Sequence, residues 1–532
     1  MKHIKMAAVF LAAALCMAGC AGKAVLTTAT EDQRSGVEYF ADQMSEAAKE
    51  NAERRAEEAE QARNEGDGDK SVIRSVDDLV KFRERVNGGE PALDAVLDAD
   101  LDLSSICGPN VGSWEPIDKY NGVFEGNGHT ISNLFYSGSG EDKGGLFATT
   151  DRDSLIQNLT MENVQIDGGD YVGAVAGHAQ GSIVNCVSRG EITGTGRSAG
   201  GIAGRVDGSL NDSEGGSVIS GCTNYATIIN TGEVNCIAGG VVGDLINANA
   251  GSCRNEGKVS GNATTIGGVF GVLEGCASEP IVVEDCVNVA EVDGNIYVGG
   301  FCGDAEFCIL NRCKNSGAVT GNIYVGGFCG YFGGGKTSHK KLVALMENCV
   351  NEGTVSLKYM QKNEYLKPGK AVYENQQIGG LSGITDAGII LNCRTSGALL
   401  CTTGKDYLYC GAGYLAVGKR EGDRNLILNC VSTGRITPPE NSEHFESSRL
   451  VTGRGNGHED AANIFYAGEK AYEEIAPTED NAFMDGTVLQ QLNSFPDGVT
   501  ESLMTRLADF GYEYEICQWK AEADSMPVLD WE

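Results

Sequence analysis

Eight cysteines recur along the middle of this chain, at Cys186, Cys222, Cys253, Cys286, Cys313, Cys349, Cys393 and Cys430, each closing an apolar stretch. Thiols in such a row could form disulfides, ligate zinc, or pack as small apolar groups. No Cys-x-x-Cys pair occurs, which argues against zinc. Other residues that could do chemistry are scattered. Asp98, Asp100 and Asp102 alternate with apolar residues through Leu97–Leu103, as a ligand cluster would, although one exposed strand face accounts for them more cheaply. His129, in Gly126-Asn127-Gly128-His129, sits where a structural hydrogen bond is the simpler role. Asp167, Asp170, Asp285 and Asp293 fall near repeat corners, where aspartate is a common turn former. No catalytic set can be nominated from these, and no cofactor or metal is expected.

A binding site is easier to place. The stretch from Val355 to Gln377 carries Lys358, Lys362, Lys367 and Lys370 with Tyr359, Tyr365 and Tyr373, and the next repeat has Lys405, Tyr407 and Tyr409. These lysines and tyrosines form a basic, aromatic island in an acidic protein. Such side chains can stack on sugar rings and contact acidic groups. Lys358, Tyr359, Tyr365, Tyr373, Lys405, Tyr407 and Tyr409 are therefore the candidate contacts for glycans or for host or bacterial surface proteins. The alternative is that the tyrosines only pack a long loop onto the body. The chain as a whole has 41 basic against 74 acidic residues, a net charge of −33 that repels phosphate backbones, so nucleic acid is excluded as a partner.

The element that positions these residues is a repeat. Gly-Asn-Ile-Tyr-Val-Gly-Gly-Phe-Cys-Gly occurs at 294–303 and again, identically, 27 residues later at 321–330. Gly-Gly-apolar-x-Gly also starts at Gly200, Gly239, Gly267, Gly299, Gly326 and Gly379, and the interval from Cys286 to Cys313 is again 27. One such unit holds three β-prone pieces, Tyr297–Cys302, Ile309–Cys313 and Gly317–Thr320, with no room for crossover helices. Short strands that repeat in this way must stack each turn on the last and pair in parallel. The expected fold is an all-β solenoid, a right-handed parallel β-helix. Its interior should carry one apolar column of Val175, Ile202, Val241, Val269, Phe301, Phe328 and Leu381, and a second of the eight cysteines. Stacked thiols on parallel strands are held near the coil spacing, farther apart than a disulfide prefers, so they should stay free.

Around this body the sequence predicts five regions. Lys2 and Lys5, an apolar run from Met6 to Ala18, and the lipobox-like Met17-Ala18-Gly19-Cys20 make 1–20 a lipoprotein signal peptide with Cys20 as the lipidated residue. Met17 stands where Leu is usual, so cleavage without acylation is the alternative. The expected location is extracytoplasmic, at the cell surface, with lipid as the sole membrane attachment. Residues 21–70, rich in Ala, Glu and Arg, read as a helical stalk or linker. An N-terminal capping helix should fill 71–93, with Ser75 as N-cap and Val76, Leu79, Phe82 and Val86 on one face. The β-helix proper is placed at 94–437 and a small C-terminal cap at 438–532.

Trp114-Glu115-Pro116-Ile117, Val123-Phe124-Glu125-Gly126-Asn127-Gly128-His129-Thr130-Ile131 and Gly144-Gly145-Leu146-Phe147, with the closing Asp485-Gly486-Thr487 and Pro527-Val528-Leu529, resemble bacterial surface proteins built of GLUG repeats. The similarity spans roughly Ser71 to Glu532. That family includes adhesin-like lipoproteins and the repeat region of immunoglobulin A peptidases. The peptidase chemistry requires His-Glu-x-x-His. Here His458-Glu459 is followed by Ala462 in place of the second histidine. The resemblance thus implies a surface β-helix for binding, adhesion or scaffolding, without the protease. The alternative is a polysaccharide lyase or glycoside hydrolase on the same scaffold.

Overall fold

The computed structural model describes residues 70–437 except 209–216, 233–234, 277–279, 335–343, 359–374, 402–408, 414 and 419–424, together with 445–447, 459–466, 519–520, 528–529 and 531. These residues form a parallel β-helix. Three stacked sheets run along it: S1 with 31 strands, S2 with 10 and S3 with 9. One coil shows the pattern. Tyr297–Gly299 belongs to S2, Cys302–Glu306 to S3, and Cys308–Asn311, Lys314–Asn315 and Val319–Gly321 to S1. Each pairs in parallel with its counterpart one coil on, such as Tyr297 with Tyr324 and Cys302 with Cys329. The coil therefore has five strands rather than the three read from the sequence. One added break is Arg312-Cys313, where Arg312 at φ 50° bends the chain without a glycine or proline to announce it.

The apolar column is present as predicted. Val175 donates its N–H to the Ile202 carbonyl at 3.0 Å, Ile202 to Val241 at 2.8 Å, and Val241 to Val269 at 2.8 Å. Val269, Phe301 and Phe328 continue the line to Leu381. Every member is fully buried, and the rings of Phe301 and Phe328 stack at 4.6 Å. The eight cysteines also stand in file, all buried and free. Each of Cys222, Cys253 and Cys313 directs its sulfur at a carbonyl of the coil before, at 3.6 Å.

The sequence reading missed a third internal column, two residues beyond the cysteines. Asn224, Asn255, Asn288, Asn315 and Asn351 are all fully buried. Each of the first four passes an Nδ2 hydrogen to Oδ1 of the next at 2.8–2.9 Å. Each amide also holds the backbone two residues on, as Asn288 does with the N–H and C=O of Ala290. Burial without partners would be costly for these polar groups. Here the ladder satisfies them coil by coil.

The helix α1 (Val76–Asn87) is capped by the Ser75 hydroxyl, which accepts from Asp78 N at 3.2 Å. Its buried face is Leu79, Phe82 and Val86, with Phe82 packed on Tyr120 and Phe124 at ring distances of 5.8 Å. The solenoid begins before this helix, because Ser71–Ile73 already pairs with Ala95–Leu97. Stacking also continues past 437: Phe445–Ser447 pairs with the strand Tyr409–Gly413, and Glu459–Tyr466 with Asn425–Ser432. Trp519–Lys520 and Val528–Leu529 form an antiparallel pair.

The single strand expected over Leu97–Leu103 is instead two, Ala95–Leu97 and Leu101–Asp102, followed by a 3-10 turn at Leu103–Ser105. Side-chain capping ends the second strand: Asp102 accepts from Ser104 N at 2.9 Å and closes the turn. Its neighbours are also committed. Asp98 pairs with Arg74 at 2.8 Å, and Asp100 accepts from Thr130 N at 2.8 Å.

Candidate functional site

From Gly200 to Gly380 each repeat ends its S2 strand in a glycine pair and has another glycine early in its S3 strand. Gly303 and Gly330 have no room for a side chain. A Cβ at Gly330 would lie 2.5 Å from Val298 N, and one at Gly303 would lie 2.6 Å from Thr265 Cγ2. This close approach sets two columns side by side. The first, on S2, is Tyr171, Ser198, Ile237, Thr265, Tyr297, Tyr324 and Gln377. The second, on S3 and seven residues later in each coil, is His178, Arg205, Asp244, Val272, Asp304, Tyr331 and Ile384. A third column, two residues further along S3, holds Asp207, Ile246, Glu274, Glu306, Gly333 and Asp386. Rings cross the seam between the first two. Tyr171 lies 5.7 Å from His178, and Tyr297 meets Tyr331 at 6.3 Å with the ring planes at 87°.

Towards the N-terminal end the seam is internally neutralised. Arg205 donates Nη1 to Asp244 at 2.7 Å and Nη2 to Asp207 at 3.0 Å, and its guanidinium stands 6.0 Å from the Tyr171 ring. Burial pushes the Asp244 carboxyl up to about 6, and Arg205 restrains it from going higher. Burial and the Arg205 charge together lower His178.

Towards the C-terminal end the same positions hold Tyr297 and Tyr324, stacked at 5.2 Å and 21°, beside Asp304 and Tyr331. Among the described residues none forms an ion pair with Asp304 or donates a hydrogen bond to its enclosed Oδ1. Burial raises this carboxyl well above the carboxylate range, and Glu306 and Glu274 push it the same way. Burial also raises the Tyr331 phenol. The sequence signal was the duplicated decapeptide: the residue that follows it is Asp304 in one copy and Tyr331 in the other.

Of the binding residues expected from the sequence, Lys358 is described in full. Its ammonium pairs with Asp293, two coils back, and its N–H donates to Gly321 O at 2.7 Å, so this lysine ties coils together. Tyr359, Tyr365, Tyr373, Lys405 and Tyr407 lie outside the described residues, as do Cys20 and His458. Tyr409 opens a strand that pairs with Asn375, but its side chain is also outside the described set. The flanks of the two insertions are neighbours, since Leu357 pairs with Cys401 and Asn375 with Tyr409.

The remaining candidates have structural duties. His129 Nδ1 lies 3.1 Å from Asp100, Asp170 pairs with Arg197 at 3.5 Å, and Asp285 adopts φ 54° beside Arg312. No group of three or more His, Cys, Asp and Glu side chains among the described residues is placed to hold a metal ion.

Fold and site together define a parallel β-helix bearing an acidic and aromatic seam along its length. No family model matches the chain. A 121-residue stretch is 38% identical to halomucin of Haloquadratum walsbyi, and a 93-residue stretch is 30% identical to the "Putative Gly-rich membrane protein" of Evansella cellulosilytica. These matches take in 21% and 16% of this chain and span 1% and 11% of the relatives' own lengths. Among solved structures, the "putative immunoglobulin A1 protease" of Bacteroides ovatus aligns over 87% of this chain and 92% of its own, with a TM-score of 0.37 and 16% identity.

Proposed function

We propose that this chain is a bacterial cell-surface protein of the GLUG-repeat kind, held by lipid on Cys20, whose β-helix binds glycans and performs no catalysis. The observation that carries the reading is the seam at Tyr297, Tyr324, Tyr331 and Asp304. It offers aromatic and carboxyl groups at coil spacing on a stack too rigid to rearrange, which suits recognition of an extended chain. The named relatives lend support to the surface location: one is halomucin and the other carries a membrane-protein name. The basic and aromatic insertions around Tyr365 and Tyr407 would add a second set of contacts. The test is a glycan array probed with the exported protein and with the double variant Tyr297→Ala/Tyr324→Ala. Binding that is lost in the variant supports the reading; no binding by the wild type to glycans or surface glycoproteins overturns it.

A second reading has one observation in its favour. A carboxyl raised by burial beside more exposed carboxylates, as Asp304 is beside Glu306, is also how glycoside hydrolases arrange acid and base. Release of reducing ends from a polysaccharide panel, abolished by Asp304→Asn, would establish that reading instead.

A further inference from the structure

The two ends of the seam have the same geometry and different contents. At Arg205 a cation supplied by the chain is enclosed by a carboxylate one coil on (Asp244), a carboxylate two residues along its own strand (Asp207), and a tyrosine ring of the adjacent column one coil back (Tyr171). Two coils beyond Asp244 the same column brings another carboxyl, with the apolar Val272 standing to it as Arg205 stands to Asp244. Asp304 takes the place of Asp244, Glu274 and Glu306 take the flanking carboxylate positions, and Tyr297, Tyr324 and Tyr331 supply the rings. The residues of the S3 column here are Val272, Asp304, Tyr331 and Ile384, none of them basic. Among the described residues Asp304 makes no ion pair, and its Oδ1 is enclosed without a hydrogen-bond donor. An enclosed, unpartnered carboxyl oxygen is costly, and every charged group acting on it is negative.

We infer that the box formed by Tyr297, Tyr324, Tyr331 and Asp304 binds an alkylammonium group, supplied by an amino-sugar unit of a glycan. The geometry selects that chemistry in three ways. Tyr331 stands perpendicular to Tyr297, so two ring planes at right angles bound the position, as in aromatic cages for ammonium groups. Carboxyl groups supply the opposite charge and the acceptor that an ammonium donor needs. A metal ion is a poor fit, because no cluster of metal-ligating side chains is present among the described residues. Glu274 and Glu306 at the rim also disfavour an anionic sugar. The amino-sugar source rests on the glycan reading above; the ammonium chemistry does not.

The test is titration of the purified protein, in physiological salt, with tetramethylammonium, glucosamine and N-acetylglucosamine, followed by tyrosine fluorescence and calorimetry. Tetramethylammonium and glucosamine should saturate, with N-acetylglucosamine weaker by about tenfold or more because acetylation removes the charge. Asp304→Asn and Tyr331→Ala should each weaken both cations by a similar factor. Tyr331→Phe, which keeps the ring, should bind nearly as the wild type does and guards against loss through misfolding. Equal binding of the neutral sugar, or cation binding unchanged in both Asp304→Asn and Tyr331→Ala, overturns the cage and leaves the glycan reading standing. Binding of tetramethylammonium and of a lysine peptide, with none to glucosamine, keeps the cage and rejects the amino-sugar source. Cation binding without any hit on a glycan array has the same consequence.

Discussion

Arg205 spans two coils, holding Asp244 of the next at 2.7 Å while its second nitrogen holds Asp207 of its own strand at 3.0 Å. Parallel strands place like positions in register, so an acid on one coil and a base on the adjacent coil meet directly. The pair is mostly withdrawn from water, with 7% of the Asp244 side chain exposed. Its worth therefore depends on the charge state of Asp244.

That dependence can be measured. The folded carboxyl is raised from its ordinary value of 3.8 to about 6, so its contribution is fully present below pH 4, falls as pH rises to about 6, and is constant above. Arg205→Met removes the partner of the ionised form only. The variant should lose about 3 kcal/mol at pH 8 and less than half of that at pH 5, where a protonated Asp244 needs no counter-ion. Urea denaturation at the two pH values decides it; an equal loss at both would contradict the assignment.

The asparagine ladder makes a sharper demand. Asn288 accepts from Asn255 and from Ala290 N, and donates to Asn315 and to Ala290 O. Asn288→Ala strips the Ala290 backbone of both partners in a dry interior. A loss of about 2–4 kcal/mol is expected. Asn288→Asp should cost more at neutral pH, because a carboxylate has no hydrogen to give and would face two acceptors. Melting curves that rank the aspartate variant above the alanine variant would show that Asn288 is not the hydrogen donor described.

Much of this was legible in the sequence. The 27-residue shift, the Gly-Gly pattern and the cysteine series name the fold and two of its internal columns before any coordinates. The asparagines were written there too, as Cys-x-Asn at 222–224, 253–255, 286–288, 313–315 and 349–351. Asparagine by itself reads as a turn former, and only stacking turns a repeated asparagine into a buried ladder. The seam was harder to see. Which S3 residue meets Tyr297 is fixed by the approach of S2 to S3 at Gly303 and Gly330, a distance that no sequence interval contains.

Phe328 tests the core in a different way. Its ring lies parallel to Phe301 at 4.6 Å and 7°, fully enclosed. Phe328→Ala opens a cavity between rigid coils that cannot close over it, and should cost about 3–5 kcal/mol. Phe328→Leu follows what the column already accepts at Leu381 and should cost about 1 kcal/mol. Thermal denaturation of the two variants is sufficient, and equal melting temperatures would mean that the column is not close-packed.

The cysteine file carries the last prediction. Thiols in a row invite oxidation, yet consecutive members project from parallel strands about 4.8 Å apart, while a disulfide brings Cβ atoms to about 3.8 Å. Burial also disfavours a charged sulfur in the file and raises Cys286, Cys313 and Cys393 well above the ordinary thiol value, while hydrogen bonds with neighbouring thiols pull Cys253 and Cys349 the other way. Both effects predict inert thiols. Maleimide added to the folded protein in air should leave Cys186, Cys222, Cys253, Cys286, Cys313, Cys349, Cys393 and Cys430 unlabelled, and the same reagent in guanidinium should label them all. Peptide mapping without reductant reads both outcomes. A disulfide between Cys286 and Cys313 in the folded protein would require the coils to approach more closely than their hydrogen bonds allow, and would refute the stacking from which the seam and both ladders follow.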